Sequence, residues 1–177
     1  MRLSPKASCI LTTAFFVLVG SQLLTAAGPL AAPKFGPKWK TLIGEWQGES
    51  QSGSGSGACG FHFALSEHTI VRTNHAELSA GAAPHDDLMV LSPELAPDKA
   101  KAIYFDNEGH VIEYAAEWSA DGSTLIFASK PAPGPQFRLT YKKNGSEGFT
   151  VTFEIAPPGQ PASFKEYTAG KIRRVGK

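Results

Sequence analysis

The chain has 177 residues, of which 42% are hydrophobic and 19% charged, and its formal net charge is +1 at pH 7. This composition excludes an intrinsically disordered tail and suits one folded domain with a single hydrophobic core. Acidic and basic residues are interspersed without forming a basic face, so we exclude nucleic acid as a partner.

Residues 1–27 have the parts of a secretory signal peptide. Arg2 and Lys6 precede an apolar run that extends over residues 10–24, and the small residues that follow suit cleavage after Ala27. We therefore expect the protein to be periplasmic or secreted, with no membrane span after cleavage. The alternative is an uncleaved anchor, although the run is shorter than the roughly 20 residues that a span needs.

Removal of the signal leaves Cys59 as the only cysteine, because Cys9 lies within the signal. A lone cysteine cannot form an internal disulfide, so the fold must be stable without one. We expect Cys59 to be a small buried hydrophobic residue. The alternative is a reactive or intermolecular thiol.

Residues 28–37 are predicted to form an extended linker, because their prolines restrict the backbone. Residues 39–43 are predicted to form a short helix that plugs one end of a barrel. The domain itself is predicted to cover residues 38–177.

Short strand patterns then follow one another at near-regular spacing, with turn residues between them and no amphipathic helix among them. The predicted strands cover residues 45–51, 59–66, 69–78, 87–92, 101–106, 110–119, 124–129, 136–142, 149–156 and 164–173. This pattern predicts an all-β fold, a single up-and-down antiparallel β-barrel of about ten strands with a short N-terminal helix.

The turns between these strands have recognisable chemistry. Residues 106–109 and 119–122 each place glycine fourth, which predicts a type I turn followed by a left-handed residue. Asn144-Gly145 predicts another hairpin turn, and Glu67-His68 predicts a two-residue turn.

The longer connections are predicted from their composition. The glycine-serine run at residues 51–57 predicts a flexible loop between the first two strands. This loop lies either at an open end of the barrel, where a ligand could enter, or simply on the surface. Proline-rich residues 130–135 and 156–161 cannot join a central ladder, so they predict loops on the rim.

A Gly-x-Trp pattern at Gly44 and Trp46 opens the first predicted strand. Glycine there indicates a tight bend, and the Trp46 ring is predicted to lie under the barrel floor. A closed barrel brings its first and last strands together, so Arg173 or Arg174 can stack on that ring as a cation–π pair. The alternative is that Trp46 is ordinary core and the arginines are a solvated tail.

The segment Leu42-Ile43-Gly44-Glu45-Trp46-Gln47-Gly48, the succession of strands and the basic last strand resemble the calycin group of β-barrels. This group includes lipocalins, fatty-acid-binding proteins and nitrobindin-like domains. Residues 102–110 and 137–141 are similar to phrases of a bacterial family of lipocalin-like domains for which no activity is established. The resemblance covers roughly residues 38–175 and implies a small-molecule cavity.

The resemblance also raises the question of haem, which nitrobindin-like domains bind through a histidine late in the chain. No histidine follows His110 here, so that ligand has no matching position. We expect no cofactor; the alternative is haem held by an unrelated residue such as His75 or His110.

The hairpin around Asn107 places a mixed set of side chains on one face. The set contains Tyr104, Asp106, His110, Ile112, Tyr114 and Trp118. Two tyrosines, a tryptophan and an Asp–His pair suit a pocket that buries an apolar ligand and orients its polar end. The same residues also suit an outer surface, and the period does not decide which face is interior.

Arg72 and Asn74 share a strand face with Phe61, Phe63 and Ile70. If that face is interior, the Arg72 guanidinium requires a partner, which we expect to be Glu113, Glu154 or the carboxylate of a bound acid. The alternative is that the long side chains reach the rim.

His85-Asp86-Asp87 is predicted to be a loop cap ahead of the strand at residues 88–90, and a metal site is the alternative. We predict no metal, since contiguous residues on one strand cannot all reach one ion. The chain contains no Gly-x-Ser-x-Gly, His-Glu-x-x-His or phosphate-loop signature, which argues against an enzyme of a known motif class.

The function expected from the sequence is binding of an apolar or amphipathic small molecule in a barrel cavity. The predicted ligand-binding residues are Tyr104, Tyr114, Trp118, Arg72, Asn74 and His110. One alternative is an isomerase or hydrolase in which His110 is a general base positioned by Asp106. Another is a cell-envelope interaction module without a ligand, which an interior filled by phenylalanines would favour.

Overall fold

The structure is a computed structural model that describes residues 32–49, 57–77, 83–146 and 148–176. The predicted signal peptide and most of the glycine-serine run lie outside the described residues. Within those residues no helix is both long and apolar enough to cross a membrane.

The described residues form a closed antiparallel barrel of ten strands. The strands are β1 (Gly44–Gly48), β2 (Gly57–Ala64), β3 (Thr69–Ala76), β4 (His85–Pro93), β5 (Lys99–Asp106), β6 (Val111–Trp118), β7 (Thr124–Ser129), β8 (Gln136–Lys143), β9 (Gly148–Ala156) and β10 (Lys165–Arg174). Each strand pairs with the next, and β1 pairs with β10. The predicted all-β barrel is confirmed.

Several strand boundaries differ from the prediction by two or three residues, among them those of β1 and β4. β1 ends at Gly48, where the prediction continued to residue 51. β4 begins at His85, two residues earlier than predicted, because residues 85–87 pair in register with residues 74–76 of β3. His85-Asp86-Asp87 is therefore part of the sheet, and its prediction as a loop cap is wrong.

A 3-10 helix at Pro37–Thr41 lies across the end of the barrel where β4 and β6 finish, which we call the helix end. It begins earlier than the predicted helix at residues 39–43, since proline fits the first turn of a helix. Trp39 is fully buried, and its indole nitrogen donates a hydrogen bond of 3.0 Å to the carbonyl of Pro97. Its ring packs edge-on against Trp118, with centroids 6.1 Å apart.

Arg174 joins the last strand to the first. Its guanidinium lies 4.2 Å above the ring of Trp46, so the predicted cation–π pair is present with this arginine. The same group donates hydrogen bonds of 2.7 and 2.8 Å to the carbonyls of Ile43 and Thr41. Gly44 has a φ of +131°, and a Cβ there would lie 2.6 Å from Arg174 Nη1, so the bend needs glycine.

The turns agree with the prediction except at one hairpin. Gly109 and Gly122 have φ values of 90° and 67°, as a left-handed residue after a type I turn requires. The turn between β2 and β3 takes four residues, Leu65 to His68, and not the two predicted. Ala64 pairs with Thr69, which carries Leu65 out of the sheet and leaves its side chain 76% exposed.

The alternation of burial shows which strand face is interior. On β6, Tyr114, Ala116 and Trp118 are each 2% exposed, whereas Val111 is 62% exposed. The tyrosine-bearing face of the hairpin around Asn107 is therefore the inner one. Phe61 and Phe127 are fully buried in the core, while Phe63 and Phe153 are only partly buried.

We predict that replacing Arg174 with alanine destabilises the barrel. Arg174→Ala removes two charge-assisted hydrogen bonds and the contact with Trp46, so the free energy of unfolding should fall by about 2 to 4 kcal/mol. Urea denaturation followed by tryptophan fluorescence measures the change. Arg173→Ala is the matched control: its exposed side chain should contribute less than about 0.5 kcal/mol. Equal losses in the two variants would contradict this role for Arg174.

Candidate functional site

The candidate site lies inside the barrel at the end opposite the helix, which we call the loop end. Strands β4, β6, β8 and β10 begin here, and the loops at residues 107–110, 130–135 and 157–164 surround it. The two proline-rich segments are thus loops at this rim, as predicted.

A buried ion pair forms the centre of the site. Arg72 Nη1 donates a hydrogen bond to Asp87 Oδ1, and the two side chains are only 7% and 4% exposed. Asn74 Nδ2 donates to the other carboxylate oxygen at 2.9 Å. Asp87 is therefore the partner that Arg72 requires, and β3 and β4 place both groups on their inner faces.

The predicted partners of Arg72 are wrong because both carboxylates lie on the outer surface. Glu113 pairs with Lys130. Glu154 accepts two hydrogen bonds of 2.6 Å from Arg138, whose guanidinium also lies 4.3 Å from the ring centre of Phe164. Arg138 thus points away from the interior.

A chain of hydrogen bonds extends from the ion pair to the rim. His85 Nε2 lies 3.7 Å from Asp87 Oδ2 and 3.0 Å from the hydroxyl of Tyr104. That hydroxyl donates to Asp106 Oδ2 at 3.2 Å, and His110 Nδ1 lies 2.9 Å from the same oxygen. We call the inward side chains of these hydrogen bonds and of the ion pair the inner polar wall. It consists of Arg72, Asn74, His85, Asp87, Tyr104 and Asp106.

An apolar wall lies opposite, because the strand order places β8–β10 across the barrel from β3–β5. Its side chains are Phe137, Leu139, Val151 and Phe153, which pack against the core. Phe137 and Phe153 stack with their rings 7° from parallel. Gly170 continues this wall on β10 beside Val151.

Gly170 leaves space in the apolar wall. A Cβ at this position would have no heavy atom of the described residues within 4 Å, although Gly170 faces inward like Ile172, which packs against the core. The residue is exposed, as is the inward-facing Thr168. Solvent therefore reaches the inner face of β10 at the loop end.

The predicted ligand-binding residues are not all at this end. Tyr104 and Tyr114 lie together, with ring centroids 6.4 Å apart. Trp118 is also inward, but it is four residues further along β6 than Tyr114, roughly 13 Å away, and it packs against Trp39 at the helix end. His110 is on the rim with its side chain 62% exposed.

Burial dominates the ionisation of the inner groups. It raises the pKa of Asp87 above the ordinary value, although Arg72 and then His85 act in the opposite direction. It also raises the pKa values of Tyr104 and Tyr114, so both hydroxyls keep their protons. Burial opposes the charge of Arg72, but Tyr141 and Asp87 outweigh it and raise its pKa.

His110 and Asp106 are in contact, as the enzyme alternative requires. Asp106 Oδ1, however, also accepts hydrogen bonds from the backbone N–H groups of Glu108 and His110. This is the pattern of an aspartate that caps its own turn. The pair is thus accounted for by the hairpin, and a general base at His110 stays a prediction.

The histidines named for haem are not placed inside the barrel. His75 is on the outer face of β3, with Nδ1 2.6 Å from Asp86, and His110 is on the rim. These residues do not fit an axial ligand within the barrel. Among residues 32–49, 57–77, 83–146 and 148–176, no group of three or more His, Cys, Asp or Glu side chains is arranged to hold a metal ion.

Cys59 is buried on β2 beside Asn74, and burial raises the pKa of its thiol. A buried thiol with a raised pKa is poorly nucleophilic, which supports the prediction of a small hydrophobic residue. A separate shallow groove of about 380 Å³ runs along the C-terminal half of β10, lined by Glu49, Asn144, Gly148, Lys171, Ile172 and Arg173. It contains no buried charged pair, so the candidate site is the interior.

His85 and Asp87 were not among the predicted ligand-binding residues. The signal that identifies them is the alternation along β4, where Asp87, Met89 and Leu91 all lie on the inner face. Extending the predicted strand by two residues would have placed His85 on that face as well. Phe137 and Phe153 are apolar by residue type. Their position across the barrel from the inner polar wall can be predicted only when the strand order is known.

We predict that the two charges of the ion pair depend on each other. Arg72→Met or Asp87→Leu alone leaves one buried charge without a partner and should cost about 3 to 5 kcal/mol of unfolding free energy. The double variant should recover most of this loss, because both desolvation penalties disappear together. Denaturant unfolding of all four proteins gives the coupling energy.

The exposed pair Lys99–Glu117 is the control for this cycle, since its side chains are 47% and 59% exposed. Lys99→Met and Glu117→Leu should show a coupling below about 1 kcal/mol. Additive losses at Arg72 and Asp87 would contradict a buried, mutually dependent pair.

We predict that Asp106 makes the barrel less stable in acid. Burial works to raise its pKa, but the hydrogen bonds from His110 and Tyr104 lower it below the ordinary value. A carboxylate with a lowered folded pKa contributes stability above its unfolded pKa of about 3.9, and that contribution is lost as pH falls through the folded pKa. Unfolding free energies measured between pH 6 and pH 2 should therefore fall more for the natural chain than for Asp106→Asn. Parallel curves would contradict the prediction.

The comparisons with known proteins bear on the fold. No protein-family model and no curated protein sequence matches the chain. Sixteen solved chains match its structure. One is the crystal structure of Rv2717c from M. tuberculosis, with a TM-score of 0.57 and 14% sequence identity, and the match covers 81% of this chain and 100% of that one. At this identity the similarity establishes a shared barrel fold.

Proposed function

We propose that this protein is an exported, calycin-type binding protein that holds an amphipathic small molecule in the loop-end half of its barrel. The observation that carries the proposal is the contrast between the two inner walls. One wall is a buried polar network centred on Arg72 and Asp87, and the other is apolar with solvent-accessible space at Gly170. Pockets that orient small molecules combine mostly apolar walls with a few placed polar groups.

The helix-end half of the barrel supplies the rigidity that such a site needs. Trp39, Trp46 and Phe61 are buried there, and tightly packed neighbours hold the strands in one arrangement. The binding energy would come from burial of the ligand's apolar part against Phe137 and Phe153, at about 25 cal/mol for each Å². The polar wall would add orientation through one or two hydrogen bonds.

The part of the proposal that concerns export rests on the N-terminal segment. Arg2, Lys6 and the apolar run have the order of a signal peptide, with cleavage after Ala27. Expression of the full chain in a secreting bacterial host, followed by intact-mass measurement of the periplasmic fraction, tests this. A product that begins at Gly28 supports export, and an uncleaved product in the membrane fraction would contradict it.

We predict that a bulky side chain at position 170 blocks binding. Nile red is an uncharged apolar dye whose fluorescence rises when it leaves water, and it serves as the probe. Gly170→Phe should fill the space beside Val151 and weaken Nile red binding at least tenfold, about 1.4 kcal/mol. Fluorescence titration measures the dissociation constant, and urea denaturation checks that the variant folds.

The matched control is Gly176→Phe. A Cβ at Gly176 also meets nothing within 4 Å, but this residue follows β10 at the helix end. It should bind Nile red like the natural chain. If Gly170→Phe folds and binds the dye with unchanged affinity, the ligand is not held in this half of the barrel.

A further inference from the structure

The charges that line the loop-end half of the interior are unbalanced. Arg72 is the one buried arginine or lysine there among the described strand residues, and Asp87 already neutralises it. Asp106 adds a second carboxylate, with its side chain only 4% exposed, and its partner His110 is on the rim. When both histidines of this end are neutral, the inner polar wall carries more negative than positive charge.

Cations elsewhere do not compensate for this excess. Lys143 and Arg174 are on the inward side of their strands but lie at the helix end, over the rings of Trp118 and Trp46. Residues 50–56 and 78–82 contain no lysine or arginine in their sequence.

Most basic side chains near the rim are held on the outer surface. Arg138 forms its double hydrogen bond with Glu154, and Lys130 is paired with Glu113. Lys165 pairs with Ile155 on the inward side of β10, but it is exposed at the rim of the wall across the barrel. A ligand carboxylate at the inner polar wall would therefore meet two carboxylates, with Arg72 already paired to Asp87. Burying an anion without a partner beside like charges is strongly unfavourable.

Neutral hydrogen-bonding groups are available at the same level of the interior. Among the residues that the structure describes, the Tyr114 side chain has no hydrogen-bond partner, although only 2% of the residue is exposed. Arg72 Nε is likewise buried without a partner there. A phenol can donate to or accept from a hydroxyl, and a carboxylate such as Asp87 can accept from an amine.

We propose that the site takes amphipathic molecules whose polar end is a hydroxyl or an amine and excludes carboxylates. This inference rests on the proposed function and deepens it by naming the ligand class. It reverses the expectation that a bound acid is the partner of Arg72, because Asp87 occupies that role.

A ligand series with one chain length tests the proposal. 1-Dodecanol, dodecylamine and dodecanoate, each at a concentration at which it is dissolved as a monomer, compete with Nile red at pH 8. The alcohol and the amine should displace the dye at concentrations at least tenfold lower than dodecanoate. Dodecanoate that binds as tightly as the alcohol would overturn the proposal while leaving the binding function intact.

Failure of the proposed function has a different signature. In that case no member of the series displaces Nile red from the natural chain, or displacement is the same in Gly170→Phe. Each result identifies which of the two statements fails.

Asp87→Asn tests the cause of the selectivity. It frees the Arg72 guanidinium while preserving the shape of the side chain, so dodecanoate affinity should rise at least tenfold relative to dodecanol affinity. Asp86→Asn is the matched control, because Asp86 is the adjacent residue, carries the same charge and pairs with His75 on the outer face. It should leave the order of the three ligands unchanged.

A second variant covers the case in which Asp87→Asn does not fold. Asp106→Asn removes the other inward carboxylate at the less enclosed end of the wall and should raise dodecanoate affinity about threefold. If both variants fold and neither changes the preference against dodecanoate relative to Asp86→Asn, the charge of the polar wall does not set the selectivity.

Discussion

A guanidinium and a carboxylate form an ion pair inside this barrel. The surrounding residues compensate for the free energy that is lost when these two charges leave water. Arg72 and Asp87 are almost fully buried, and removing two charges from water is repaid only by close contact and further hydrogen bonds. Asn74 and His85 supply those contacts, and the antiparallel register of β3 and β4 brings the groups together. The pair also fixes the electrical character of the interior.

The barrel divides its interior between two tasks. At the helix end, aromatic side chains fill the space and the Trp39 helix covers it, which supports the fold. At the loop end, partly buried phenylalanines and an inward glycine leave space beside a polar network. A closed sheet makes this division possible, because its strands need no second layer to satisfy their backbone hydrogen bonds.

Local sequence signals predicted much of this arrangement. Strand number, most boundaries and the glycine turns follow from alternation and turn chemistry, which act over a few residues. The contact of Arg174 with Trp46 was predictable once closure was assumed. The partner of Arg72 was not, because it depends on the register between β3 and β4, and residues 85–87 were predicted to be a loop cap ahead of the strand. Asp87 looked like a loop residue since its neighbours in sequence are polar. Trp118 shares a strand face with Tyr114, as predicted, but it lies at the helix end, because one strand face extends along the whole length of the barrel.

The short first strand has a consequence for the order of folding. Arg174 donates hydrogen bonds to the carbonyls of Ile43 and Thr41, just ahead of β1, across 131 and 133 positions of the chain. Such long-range contacts are slow to form, because a long loop must close first. Until β1 meets β10, each of these two strands presents an unpaired edge to which another chain can add a strand. Closure of the barrel removes both edges at once.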